Sequence, residues 1–115
     1  MSIDRGSDYV NREPWVVSAV VEAMLRGGLD SSGIRIEWLI APGCKPDLVY
    51  VNPYMVLIYE AKSYTPNTTC RKQVKRYVEA ARQRWPDRQV RGYLVWPKGD
   101  TFRPLHMGEV DWMLA

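Results

Sequence analysis

The spacing of apolar and polar positions along the chain predicts two helices. The first runs from the capping residue Asn11 to about Arg26, where a pair of glycines stops it; a proline in its first turn is tolerated. The second begins at Thr68 or Thr69 and ends near Trp85, just before a proline. Between and after them the apolar residues follow an extended pattern instead.

Four segments rich in β-branched and aromatic residues are predicted strands: Ile34–Ile40, Asp47–Val51, Met55–Lys62 and Val90–Trp96. Asn52-Pro53 predicts a turn between the second and third of them. The tail, 101–115, is ambiguous between a short strand and a helical turn. The order helix, three strands, helix, strand predicts an α/β fold with a central mixed sheet, and 115 residues suit a single domain spanning 1–115.

Helical phase separates two acidic residues of the first helix. Glu13 shares a face with Val17, Val20 and Met24, whereas Glu22 points the opposite way. A carboxylate on a core-facing stripe is costly to bury unless it is paired or binds a cation. The alternative is that Glu13 lies near enough to the helix start to reach water and to interact with the helix dipole.

The second helix combines an apolar seam with a polar flank. The seam consists of Val74, Val78, Ala81 and Trp85. Gln73, Tyr77 and Arg84 lie together on one flank of the seam, and a half-buried polar flank suits residues that line a cleft. Lys72, Lys75 and Arg76 face elsewhere.

Positive charge is concentrated around this helix. The net charge is only +3, yet the range 71–91 holds eight basic residues and two acidic ones. Such a stretch suits a polyanionic partner such as DNA. The alternative is a solvated helix face without a partner.

Several function classes lack support in this sequence. No apolar run approaches the roughly 20 residues that span a bilayer, and residues 1–8 lack the apolar stretch of a signal peptide, so we expect a cytoplasmic protein with no membrane partner. Cys44 and Cys70 are too few for a disulfide framework and have no zinc-site spacing. The lone histidine, His106, forms no Ser-His-Asp pattern.

Two carboxylates and a lysine stand at the ends of neighbouring strands. Glu60 and Lys62 point to the same face because strand side chains alternate. If the Asn52-Pro53 turn makes the two strands antiparallel neighbours, Asp47 lies beside them. Oxygen ligands of this kind hold Mg²⁺, which activates water and shields phosphate charge, while a lysine can orient the attacking water. The alternative is a surface ion pair of little consequence.

These residues resemble the signature of the PD-(D/E)XK nuclease superfamily. Pro46-Asp47 is followed after twelve residues by Glu60-Ala61-Lys62, and the element order is similar to the restriction-endonuclease-like core. Gln73 and Tyr77 resemble the QxxxY motif of its RecB-like branch. Glu13 stands where archaeal Holliday-junction resolvases of this superfamily carry a metal-binding glutamate.

The resemblance implies a role for each matching position. Asp47, Glu60 and Lys62 would be catalytic, and Mg²⁺, with Mn²⁺ as a substitute, would be held by Glu13, Asp47, Glu60 and the Ala61 carbonyl. Gln73 and Tyr77 would brace the site and the DNA strand, with Lys72, Lys75 and Arg76 as further DNA-binding residues.

The sequence departs from relatives in this superfamily at two points. The four cysteines of an iron–sulfur branch are absent, and so is the RecB-type helix histidine, which favours the resolvase-like branch. We therefore expect a metal-dependent endonuclease on branched or structured DNA, with a homodimer as a way to supply two sites. The alternatives are a RecB-like exonuclease acting on DNA ends and a non-catalytic nucleic-acid-binding module.

Overall fold

The computed structural model describes residues 10–115, which form two helices and five strands. In chain order these are α1 (Glu13–Arg26), β1 (Ile34–Ile36), β2 (Leu48–Val51), β3 (Met55–Ala61), α2 (Thr68–Arg84), β4 (Gln89–Pro97) and β5 (Val110–Leu114), with 3₁₀ turns at Ser31–Gly33 and Met107–Glu109. The predicted α/β class with a mixed central sheet is confirmed. The predicted order of elements is present and is followed by a fifth strand. The N-terminal segment 1–8, used above to predict a compartment, lies outside the described residues.

The sheet has its strands in chain order, β1 to β5. β3 and β4 are parallel and are joined through α2, whereas the other neighbours are antiparallel. The predicted turn sets the β2–β3 register, because the Asn52 side chain accepts the backbone N–H groups of Tyr54 and Met55, both at 2.8 Å. Leu48 therefore pairs with Tyr59, which places Asp47 at the level of Glu60.

The two helices cover opposite faces of the sheet. α1 buries Val16, Ala19, Val20 and Met24 on one face, and α2 buries Val74, Tyr77, Val78 and Ala81 on the other. α2 approaches β4 so closely that a Cβ at Gly92 would lie 2.5 Å from the Val78 side chain and 2.6 Å from that of Val74. Only glycine fits at that contact.

The inward stripe of α1 differs in phase from the predicted one. Val16 is fully buried, whereas Val17 is only half-buried. The centre of the buried face is therefore rotated about the helix axis away from Glu13. Glu13 therefore lies at the boundary between core and solvent. The helix cap also differs, because the backbone cap is Arg12, although the Asn11 side chain still accepts the Glu13 backbone N–H at 3.0 Å.

One strand prediction needs correction, and the structure resolves the ambiguity of the tail. β1 ends at Ile36 and does not reach Ile40, because Glu37 adopts a positive φ of 48° that turns the chain out of the strand. The tail contains both predicted alternatives in succession, a 3₁₀ turn and then β5.

Two of the exclusions made from the sequence can be examined directly. Within residues 10–115 no helix is long and apolar enough to cross a membrane. Cys44 is a buried free thiol and Cys70 a half-buried one.

Candidate functional site

Asp47 and Glu60 are tied together across the β2–β3 pair. The backbone N–H of Asp47 donates to Glu60 Oε1 at 3.2 Å, and the backbone N–H of Ala61 donates to Asp47 Oδ2 at 2.8 Å. Each carboxylate is thus fixed by a main-chain donor from the other's strand. The antiparallel pairing expected from the Asn52-Pro53 turn brings together the two carboxylates as predicted.

Glu60 is the buried member of the pair, with 7% of its surface exposed. Burial raises the pKa of its carboxyl to about 7, and the charge of Asp47 adds to the rise. Lys62 opposes this shift, since its Nζ lies 3.7 Å from Glu60 Oε2. The site therefore holds more negative charge than its lysine offsets.

Gln73 and Tyr77 of α2 continue the arrangement from Lys62. Lys62 Nζ donates to Gln73 Oε1 at 3.4 Å, and Gln73 Nε2 donates to the Tyr77 hydroxyl at 2.9 Å. Burial, followed by the charge of Glu60, raises the pKa of Tyr77. Gln73 and Tyr77, one helical turn apart on α2, thus form a chain of hydrogen bonds that orients the Lys62 side chain. Arg84, predicted on the same flank, instead donates to the Ile40 carbonyl at 3.0 Å, away from this site.

Glu13 and Glu22 border one groove beside α1. This α1 groove has a volume of about 640 Å³, and its acidic lining residues are Glu13, Glu22, Glu37 and Asp47. Burial raises the pKa of Glu13, Asp47 raises it further, and Lys62 lowers it, which places Glu13 within electrostatic reach of the site. Glu22 is exposed and paired with Arg26 at 2.5 Å. Nine positions along α1 separate the two carboxylates, and the pKa of Glu13 responds to the charges of Asp47 and Lys62.

A second cleft opens on the other side of Lys62. This basic cleft, of about 510 Å³, is lined by Lys62, Thr69, Cys70, Lys72, Gln73 and Arg76. Lys75, which the sequence groups with Lys72 and Arg76, is exposed but does not line it. The three basic residues of α2 are thus divided between the cleft and the open helix surface.

Arg12 is a site-bordering residue that the sequence did not single out. Its side chain is 1% exposed, and its guanidinium donates to three backbone carbonyls, those of Ser63 at 2.7 Å, Gly99 at 2.6 Å and Thr101 at 3.2 Å. The aromatic rings of Tyr64 and Phe102 lie 5.2 and 4.6 Å from its central carbon. Arg12 thereby ties the start of α1 to the loops that follow β3 and β4.

The donor set suits a hard cation bound by few protein ligands. Within residues 10–115 no three His, Cys, Asp or Glu side chains are gathered into a group that could hold a metal ion. Backbone hydrogen bonds hold the carboxylates of Asp47 and Glu60 in place, and neither of these bonds involves Glu13. Mg²⁺ commonly uses one or two carboxylates and keeps several waters, so a paired Asp47 and Glu60 with excess negative charge fits it.

Comparison with known proteins adds no identification. No protein-family model, curated protein or solved structure matches this chain.

Proposed function

We propose that this chain is a magnesium-dependent deoxyribonuclease of the PD-(D/E)XK type, with a restriction-endonuclease-like core. One observation carries the proposal: Asp47 and Glu60 are linked by reciprocal backbone hydrogen bonds, and Lys62 stands 3.7 Å from Glu60. A surface ion pair does not account for this arrangement, because Glu60 is buried and its pKa is raised to about 7. A buried carboxylate that resists ionisation is typical of a functional site.

Each residue has a chemical task in this proposal. Asp47 and Glu60 would hold Mg²⁺ together with the Ala61 carbonyl. Within residues 10–115 Glu13 is not grouped with them and would act on the ion through a bound water. When bound, the ion supplies water activation and shields the charge of the phosphate. Lys62 orients the attacking water by hydrogen bonding and stabilises the negative charge that develops on the phosphate. Water attacks phosphorus as the bond to the leaving oxygen breaks, so that OH is added to the phosphate and the remaining proton goes to the leaving oxygen.

The surroundings of Lys62 support its role. Gln73 accepts from the lysine and is itself held by Tyr77, so the ammonium has a fixed direction. Lys72 and Arg76 share the basic cleft with Lys62 and would bind the phosphates next to the cleaved bond. DNA is the proposed substrate, with branched or structured DNA as the first choice.

Cleavage assays on the purified chain test the proposal. Labelled linear duplex, single-stranded and four-way-junction DNA would be incubated with Mg²⁺, Mn²⁺, Ca²⁺ or a chelator. We expect cleavage with Mg²⁺ and Mn²⁺, and binding without turnover in Ca²⁺, which is larger and activates water less well. Full activity in excess chelator would refute the metal mechanism, and products released only from DNA ends would favour the exonuclease alternative.

Substitutions separate chemistry from binding. Asp47→Asn, Glu60→Gln and Lys62→Ala should each lower cleavage by about 100-fold or more while DNA affinity changes little, because phosphate contacts elsewhere dominate binding. Glu22→Gln, an exposed carboxylate on α1, is the matched control and should cleave normally. Binding of DNA without cleavage by the unmodified chain under every metal would favour a non-catalytic module.

Thermal unfolding gives a readout that does not depend on activity. Mg²⁺ binding to the folded state should raise the melting temperature of the unmodified chain. The increase should be smaller in Asp47→Asn and Glu60→Gln, which each lose a carboxylate ligand. Equal increases in all three proteins would place the ion elsewhere.

A further inference from the structure

The two edges of the sheet differ in how well they are protected. β1 is three residues long, carries an exposed Arg35 and ends where Glu37 turns the chain away. β5 at the opposite edge is five residues long, with no proline, no bulge and one charged residue, Asp111. Natural sheets usually blunt a free edge with charge, proline or a short strand, since an open edge pairs with other strands.

The hydrogen bonds of β5 show which of its residues face outward. The Ala115 N–H donates to the Gly92 carbonyl, and the Glu109 carbonyl accepts from Lys98, each at 2.9 Å. Main-chain groups of alternate residues point to the same side of an antiparallel strand. Positions 109, 111, 113 and 115 therefore bond to β4. Of the outward residues, Val110 already donates its N–H to the Met107 carbonyl, so the free edge offers the N–H and C=O groups of Trp112 and Leu114 and the C=O of Val110.

The side chains along this edge are apolar and exposed. Trp112 is 58% exposed and Leu114 is 50% exposed. Trp112 also ends an aromatic row that crosses the sheet: its ring centroid is 5.9 Å from that of Tyr93, which stacks on Tyr59 at 5.0 Å. Within residues 10–115, the edge thus offers main-chain groups without a partner at Trp112 and Leu114, together with apolar surface.

We propose that β5 is a homodimer interface, in which the β5 strands of two copies pair antiparallel about a two-fold axis at Trp112. Trp112 is the middle residue of the strand, so this register opposes Trp112 to Trp112 and Val110 to Leu114. Trp112–Trp112 and Val110–Leu114 are then hydrogen-bonded pairs, with four main-chain bonds across the axis, because the Val110 N–H is already bonded to the Met107 carbonyl. Asp111 is opposed by Met113 and not by its own copy, which avoids like-charge contact.

A second copy fits this edge better than a partner of other chemistry. The strand complements itself in register, in exposed apolar side chains and in charge. The contact is small: Trp112, Leu114 and the five-residue backbone suggest roughly 600–1,000 Å² of buried surface in total, at the low end for specific interfaces. We therefore expect a dimer that dissociates in the micromolar range.

The consequence for the site rests on the proposed function. In the paired sheet, five strand spacings separate β3 of one copy from β3 of the other, about 24 Å. The axis is perpendicular to the sheet, so both Glu60 side chains lie on the face covered by α2. Two sites at this spacing on one face would address the two strands of one duplex.

Sedimentation velocity on the full chain tests the interface without any assay of cleavage. From about 1 to about 100 µM the unmodified chain should shift from monomer to dimer. Trp112→Pro removes an outward N–H that β4 does not use, and Leu114→Lys adds charge to the edge; both should stay monomeric. Ile36→Lys, at a residue 53% exposed on β1, is the matched control and should dimerise normally.

The outcomes divide clearly. An unmodified chain that stays monomeric over the whole concentration range overturns the proposal, and so does a dimer that persists in Leu114→Lys and Trp112→Pro. Loss of the dimer in Ile36→Lys alone would place the contact at β1. Circular dichroism and melting temperature establish that the variants are folded. If the dimer forms as expected but no DNA is cleaved, the interface stands and the nuclease proposal fails.

Discussion

Glu60→Gln should make the protein more stable, and the gain should depend on pH. Glu60 is buried, and its pKa is raised from 4.5 to about 7 by burial and by the charge of Asp47. Glutamine has nearly the same shape, and its Oε1 can still accept the Asp47 backbone N–H. The substitution therefore removes the costly charge and keeps the packing and the hydrogen bond.

The sign and the size follow from proton linkage. Because the folded protein binds this proton more tightly than the unfolded chain does, Glu60 costs nothing below about pH 4.5, and its cost grows until about pH 7. A pKa difference of this size corresponds to about 3 kcal/mol of unfolding free energy. Glu60→Gln should thus match the unmodified chain near about pH 4.5 and exceed it by up to about 3 kcal/mol at about pH 8.

Urea unfolding of both proteins across this pH range measures the difference directly. The corresponding rise in melting temperature at about pH 8 is about 8–12 °C for a domain of this length. Comparing the two proteins at each pH cancels the titration of other groups. Glu22→Gln, which removes an exposed carboxylate, should show no pH-dependent gain. A Glu60→Gln protein no more stable than the unmodified chain at about pH 8, or a gain that is the same at every pH, would show that the Glu60 charge does not destabilise the fold.

Two further predictions concern the basic cleft and Arg12. Replacing Lys72 and Arg76 by alanine should weaken DNA binding and make the slope of log affinity against log salt shallower by about 2, and Lys75→Ala should change this slope less. Binding titrations at several salt concentrations measure the slope. An equal change in the two proteins would show that the basic cleft does not bind DNA. Arg12→Met leaves three backbone carbonyls without their donor and should lower the unfolding free energy measured in urea by about 2–4 kcal/mol. Arg103→Met, at the surface, is the control and should change it little. A fully stable Arg12→Met protein would show that these hydrogen bonds do not stabilise the fold.

The local signals in the sequence were sufficient for most elements. Asn52 predicted a turn because its side chain can bond the backbone two and three residues ahead, and this turn alone brought Asp47 beside Glu60. Strand alternation placed Lys62 on the same face as Glu60, and helix periodicity placed Gln73 beside Tyr77. Each of these inferences depended on residues a few positions apart in the sequence or on the single turn at Asn52.

The parts that could not be predicted depend on distant residues. Arg12 reads as an ordinary basic residue before a helix, and its burial is decided by carbonyls 51, 87 and 89 positions away. Lys72 and Arg76 border a cleft and Lys75 does not, because the cleft lies between their face of α2 and Lys62, which is at least ten positions away in the sequence. The predicted first strand was too long because nothing in the segment 34–40 indicated that Glu37 would adopt a positive φ.

The charges around Lys62 restrict how a polyanion could approach the proposed site. On one side the α1 groove carries Glu13, Glu22, Glu37 and Asp47, which repel phosphate. On the other side the basic cleft presents Lys62, Lys72 and Arg76, which attract it. A DNA strand would therefore enter from α2 and meet Lys62 before it meets the carboxylates. In the proposed β5 dimer both clefts open on the same face of the continuous sheet, so one duplex could reach both sites without turning over.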